Sequence, residues 1–250
     1  MQKCLLHGFG PCAGKMSREH YISRTALEAI GQAGKSQIGG LAWQPEETMQ
    51  VIGNGSLVAK ILCEAHNSTL SSLDTVGGAL IRAVDAADKQ PESLPALTTI
   101  DGLLFERWLL KVICGLTAGG GFKTREIPEH WKRILMGEPW PDGWGLYVPS
   151  PEGQHVLAKE FAVETRVHPT TNEVKAAFFR VAGVHFTLLV GRPDDPRPWG
   201  FQRPRGLIFR DGTTEKRIEF AWPIESTEAV IYTKVGTTSA PVPQWSGWRQ

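Results

Sequence analysis

Cysteine is scarce: the 250-residue chain has four, too few for a secreted scaffold built on disulfides. Long apolar runs are missing. No stretch of about 18 consecutive apolar residues occurs, so no helix is expected to cross a bilayer. No apolar signal region opens the chain, and the expected location is the cytoplasm. An excess of one charge is also missing, since 27 Lys and Arg face 26 Asp and Glu for a net charge of +1. A protein that coats nucleic acid carries a broad basic field. Any nucleic-acid contact here must therefore be local, weak or helped by a partner. There is no internal repeat and no low-complexity run. No Gly-x-Ser-x-Gly elbow occurs, which removes the usual signature of a serine hydrolase. Gly119-Gly120-Gly121 is followed by no Gly-Lys-Ser/Thr, which removes the phosphate loop.

What remains is an ordinary folded composition, 41% apolar and 21% charged. The pattern along the chain predicts an α+β protein. Residues 1–90 form a first region that carries a Gly-rich insertion between Gly31 and Gly55. Leu57 to about Ala87 read as a helix, and Pro91 and Pro95 mark a boundary. A helical connector follows over 91–143. Its main helix runs from about Thr99 to Thr117, with Asp101 or Thr99 as cap and the glycine run as stop. A shorter helix is expected from Pro128 to Met136. Residues 144–238 read as an antiparallel β-rich accessory region. Its expected strands are Phe161–His168, Glu173–Val181, His185–Val190, Gly206–Phe209, Arg217–Phe220 and Ala229–Thr233, with a hairpin turn at Asp211-Gly212. Residues 239–250 read as a tail.

Two spaced pairs stand out, Cys4-x-x-His7 and Cys63-x-x-His66. Four such ligands close a tetrahedral zinc site. The expected set is Cys4, His7, Cys63 and His66, with Cys12 as the alternative to His7. Zinc would tie the amino-terminal loop to the following helix across a long loop, offsetting its closure entropy. Between the pairs lies a Glu19-His20 step, and Asn67 follows His66 directly.

Cys4, His7, Glu19, His20, Leu62, Cys63, His66 and Asn67, in that order, resemble the zinc-containing HNH endonucleases of the ββα-metal (His-Me finger, treble-clef) group. The resemblance covers the first third of the chain. It implies a ββα-metal fold there and hydrolysis of phosphodiester bonds in nucleic acid, with DNA favoured over RNA. By resemblance, His20 is the general base, and Glu19 and Asn67 are ligands of a catalytic Mg²⁺ or Mn²⁺ ion. Either Asn54 or Ser56 fills the place of the family's middle Asn. The link over residues 21–62 is longer than the family's, and no basic residue follows Asn67.

The chemistry is consistent with those roles. A neutral imidazole can take a proton from water near neutral pH. Hard oxygen donors suit Mg²⁺ or Mn²⁺, whereas thiolates suit zinc. Asn67, Ser71 and Asp74 share a helix face at i, i+4 and i+7, so Ser71 and Asp74 are secondary candidates. Lys15, Arg18, Arg24 and Lys60 are candidate phosphate contacts. The competing expectation is a non-catalytic zinc-stapled module that binds nucleic acid or protein. A regulatory protein or a second copy of the chain is a further expected partner. Cys114, His130, His155, His168 and His185 are expected to pack rather than to ligate. Trp199, Trp245 and Trp248 are expected mainly to pack, with base stacking as the alternative.

Overall fold

The computed structural model describes residues 4–45, 48–89, 95–124, 126–148, 160–168, 170–191, 201–211, 214–223 and 228–234. Trp199, Trp245, Trp248 and His155 lie outside them. The described residues form a mixed α+β fold with five α-helices and three sheets.

In chain order the elements are β1 (Met16–His20), α1 (Arg24–Ile30), β2 (Lys35–Gly39), β3 (Met49–Gly53), β4 (Val58–Cys63), α2 (Glu64–Thr69), α3 (Ser71–Lys89), β5 (Leu97–Asp101) and α4 (Gly102–Gly119). They continue with α5 (Glu129–Leu135), β6 (Gly145–Tyr147), β7 (Glu160–Val167), β8 (Val174–Val181), β9 (Val184–Leu189), β10 (Arg203–Asp211), β11 (Thr214–Ala221) and β12 (Glu228–Lys234).

The expected helix from Leu57 is corrected at its start. Val58–Cys63 is a strand, paired antiparallel with β1, and helix begins only at Glu64. A short apolar run of this kind suits either state from sequence, and pairing decides. Ser17 pairs with Leu62 and Glu19 with Ala59. Lys60 and Ile61 together therefore oppose Arg18, a bulge that re-aims the side chains beyond it. After Cys63 the chain turns back along this hairpin as α2 and α3. Between β1 and β4 the chain forms α1, and the Gly-rich insertion after it supplies β2 and β3. Strand β2 pairs with β7 in parallel, so the insertion belongs to a six-stranded sheet of order β3-β2-β7-β8-β9-β6. Strand pairing thus crosses the boundary expected near residue 91.

The expected carboxyl-terminal strands all form, within a residue or a few at each end. Their pairing differs from the expected antiparallel region in one respect. The four-stranded sheet, ordered β12-β10-β11-β5, joins β10 to β12 and β11 to β5 in parallel. The Thr99 start of the connector helix is also corrected, because Leu97–Asp101 is strand β5.

Helix α4 begins at Gly102, where the Asp101 side chain accepts from the Leu104 amide at 2.9 Å. It ends at Gly120, whose φ of 80° is the left-handed cap that glycine takes without strain. The helix is buried on nearly all sides and packs against α3, α5, β4, β5, β9 and β11. Trp108 and Phe105 are fully enclosed on it. A Cβ on Gly77 of α3 would lie 2.3 Å from the Trp108 ring, so the two helices touch where Gly77 leaves room. Two charged residues, Glu106 and Lys111, are carried into this core by α4. Each must find an opposite charge there.

Candidate metal centre and the adjoining ion cluster

The amino-terminal segment is laid against the hairpin by backbone bonds. The Leu5 amide donates to the Ile61 carbonyl at 2.7 Å, and the Cys63 amide donates to the Cys4 sulfur at 3.4 Å. The His7 amide donates to the Cys4 carbonyl at 2.9 Å, closing a turn. Gly8, Gly10 and Gly14 then adopt φ of 94°, 133° and 74°, conformations open to glycine. They reverse the chain so that it returns beside α2, where the Ala65 amide donates to the Ala13 carbonyl at 3.3 Å. That return carries Cys12, not His7, to the other ligands.

Cys4, Cys12, Cys63 and His66 place their ligand atoms within 4.8 Å of one another. His7 is exposed and outside the group, so the alternative ligand set is the one assembled. The His66 Nδ1 atom lies 3.4, 3.6 and 3.3 Å from the sulfurs of Cys4, Cys12 and Cys63. One nitrogen cannot hydrogen-bond three thiols at once. A tetrahedral ion with Zn–S near 2.3 Å and Zn–N near 2.0 Å sets an S···N separation of about 3.5 Å, and the group could hold a zinc ion.

Electrostatics agree. Burial works to raise the Cys63 thiol, but the backbone amides of His66 and Ala13 outweigh it and hold its pKa at about 6. Desolvation and the neighbouring Cys4 and Cys63 thiols push Cys12 up to about 11. Three thiols packed this closely resist losing all their protons unless a cation joins them.

His66 and Asn67 are neighbours on α2 and point to different clusters, since successive residues of a helix are rotated by about 100°. His66 turns inward to the sulfurs. Asn67 hydrogen-bonds the Glu19 carboxylate on β1. Glu19 is buried, 6% exposed, and its Oε1 lies 2.7 Å from the Lys111 Nζ. The same ammonium meets Asp74 Oδ1 at 2.8 Å and Oδ2 at 2.7 Å. Lys111 is 5% exposed. Sequence reasoning missed Lys111, although a lone lysine in the apolar run Leu109-Leu110-Lys111-Val112-Ile113 signals a buried partner.

Burial raises both carboxyls, and Lys111 opposes the rise at each. Of the two secondary candidates on the helix face, Asp74 joins the cluster, whereas the exposed Ser71 hydroxyl donates to the Ser68 carbonyl at 2.8 Å.

His20 follows Glu19 and is half-buried. Burial, then the charge of Arg24, lowers its pKa, while Asp74 pulls it up. The net shift favours the neutral ring that a general base needs. Asn54 is drawn into the insertion, where Ser36 donates to its Oδ1 at 2.7 Å, and Ser56 is exposed. Lys15, Arg18, Arg24 and Lys60 are all exposed. Arg24 pairs with Glu28 at 2.7 Å, whereas Arg18 and Lys60 face one another across the bulge.

The Mg²⁺ or Mn²⁺ ion expected from the resemblance does not fit Glu19 as it stands. Its carboxylate is already committed to an ammonium 2.7 Å away. Two further histidines serve packing or a turn: His130 stacks edge-on to Trp144 with centroids 5.0 Å apart, and His168 Nδ1 accepts from the Thr170 and Thr171 amides at 3.3 Å. Burial holds His185 down at about 4, and Cys114 is fully buried.

Comparison with protein-family models, with curated proteins and with solved structures finds no match for this chain.

Proposed function

We propose that the protein is an endonuclease of the HNH kind that hydrolyses phosphodiester bonds in nucleic acid, DNA in preference to RNA, on a scaffold held by structural zinc. One observation carries this reading. Glu19 and Asn67 meet, with His20 next to Glu19 in the chain, on a single strand–strand–helix unit, β1–β4–α2, whose base holds the Cys3His group. The neutral His20 ring takes a proton from the water as its oxygen bonds to phosphorus. The ester P–O bond breaks on the opposite side, and the departing alkoxide takes a proton from solvent, to which His20 returns its own. Arg18 and Lys60, exposed on the same hairpin, face the phosphate and offset its charge. No step is assigned to a divalent ion, because Glu19 is occupied by Lys111.

Supercoiled plasmid tests the proposal, with the protein desalted into metal-free buffer and with Mg²⁺ or Mn²⁺ added back in parallel. The intact protein is expected to nick it, and His20→Ala to lose about 100-fold or more in rate with unchanged circular dichroism. Equal cutting by the variant overturns the assignment.

The same Lys111 contact favours a second reading, a zinc-stapled module that binds nucleic acid or protein without cutting. The Glu19 and Asp74 carboxylates, bridged by Lys111, would then serve only to join β1, α3 and α4. Binding of DNA without nicking under every condition above would support it.

A further inference from the structure

We infer that the Lys111 ammonium is the resident cation of the Glu19–Asp74 carboxylate pair and closes that pair to divalent ions. The geometry is specific. The Lys111 Nζ lies 2.7 Å from Glu19 Oε1 and donates to both oxygens of Asp74 at 2.8 and 2.7 Å, so one ammonium bridges the two carboxylates. Lys111 is 5% exposed and faces two carboxylates, so it is not a substrate-binding lysine. It is a positioning residue that acts through Glu19 and Asp74.

The elements make this placement rigid. Trp108 of α4 sits on Gly77 of α3, and Lys111 lies one turn along α4 from Trp108, over Asp74, one turn back along α3. The Thr25 hydroxyl donates to the Asp74 carbonyl at 2.8 Å, and Asn67 holds Glu19 from the other side. Lys111 thus reaches from α4 into the strand–strand–helix unit at the point where a divalent ion is expected.

Charge accounts for the exclusion. Two carboxylates less one ammonium leave a single net negative charge, whereas two carboxylates alone match a dication. A divalent ion entering beside the ammonium would meet strong repulsion in a site shielded from water. Mg²⁺ also keeps several of its own waters, and the buried Glu19 side of the pair, 6% exposed, does not favour them.

Only the catalytic consequence rests on the endonuclease reading, namely that cutting proceeds without added divalent ion. The binding claim stands apart from it. Mn²⁺ is the probe, followed by calorimetry and thermal melting of the full chain. The intact protein is expected to take up no Mn²⁺ that Glu19→Gln removes. Lys111→Met leaves the buried Glu19 and the half-buried Asp74 carboxylates uncompensated, so its melting temperature falls. Added Mn²⁺ is expected to restore it, with affinity at least about 10-fold above that of the intact protein. Lys111→Met combined with Asp74→Asn is expected to lose the rescue. Mn²⁺ binding by the intact protein that depends on Glu19 and Asp74 overturns the inference, as does a folded Lys111→Met that gains no affinity. Should Lys111→Met fail to fold even with Mn²⁺, the comparison of intact protein with Glu19→Gln decides alone. A protein that cuts nothing but passes these binding tests refutes the endonuclease reading and leaves the role of Lys111 intact.

Discussion

Cys12 and His7 separate two ways of reading the same short segment. Spacing alone gives His7 the better position, because Cys4-x-x-His7 repeats the pattern of Cys63-x-x-His66. Backbone geometry reverses the preference. The turn closed by the His7 amide on the Cys4 carbonyl leaves His7 exposed, and three positive-φ glycines bring Cys12 back. Zinc analysis should therefore find about one ion per intact chain, and Cys12→Ser should lose most of it with a marked fall in melting temperature. His7→Ala should keep the zinc. Full zinc in Cys12→Ser would remove Cys12 from the ligand set. The Glu-His step and Asn67 were legible as residues in sequence, and of these Glu19 and Asn67 meet through a side-chain hydrogen bond. Lys111 was not recognised, because its two partners lie on elements distant in the chain.

Helices α3 and α4 run antiparallel against one another, and their spacing sets the ion cluster. Gly77 fits beneath Trp108 with no room for a methyl group, the nearest ring atom being 2.3 Å from an added Cβ. Alanine is a better helix former than glycine by up to about 1 kcal/mol. Here overpacking outweighs that gain, since Trp108 is fully buried and cannot swing clear. Gly77→Ala is expected to destabilise by about 1–3 kcal/mol in chemical denaturation, and an unchanged or raised midpoint would contradict the close approach. Capping and stop signals for α4 were readable at Asp101 and Gly120. The start of the preceding helix was not. Val58–Cys63 has the composition of either state, and only its partner strand, β1, makes it a strand.

Across the whole molecule, α4 packs against strands of all three sheets and brings two buried charges to different partners. Lys111 serves the amino-terminal unit. Glu106, fully buried, meets Arg203 at 3.0 Å, and its Oε2 accepts from the Leu146 amide at 3.0 Å. Arg203 in turn lies 4.6 Å over the Trp222 ring, so this pair fastens α4 to both large sheets. Burial raises the Glu106 pKa to about 7 despite Arg203. A carboxyl with a raised folded-state pKa binds more protons folded than unfolded. Its stabilising contribution is full below the unfolded value of 4.5 and is lost as pH rises through about 7. Denaturation midpoints of Glu106→Gln against the intact protein should show this loss vanish in the variant, a difference on the order of 3 kcal/mol between pH 4.5 and 8. Parallel pH curves for the two proteins would place the proton elsewhere. No helix among the described residues is long and apolar enough to cross a membrane.

Local chemistry settled much of this protein in advance. The carboxyl-terminal strands, the Asp101 cap, the glycine stop of α4 and the presence of a thiol-imidazole group depend on nearest neighbours, on period and on ligand type, all of which a linear chain displays. Long-range choices did not depend on those things. Parallel pairing of β2 with β7 and of β5 with β11, the selection of Cys12 over His7, and the delivery of Lys111 to Glu19 and Asp74 each join segments far apart in the chain. Their outcome follows from which surfaces can be buried together and from the need of every buried charge for a partner, and those conditions exist only once the chain has closed on itself.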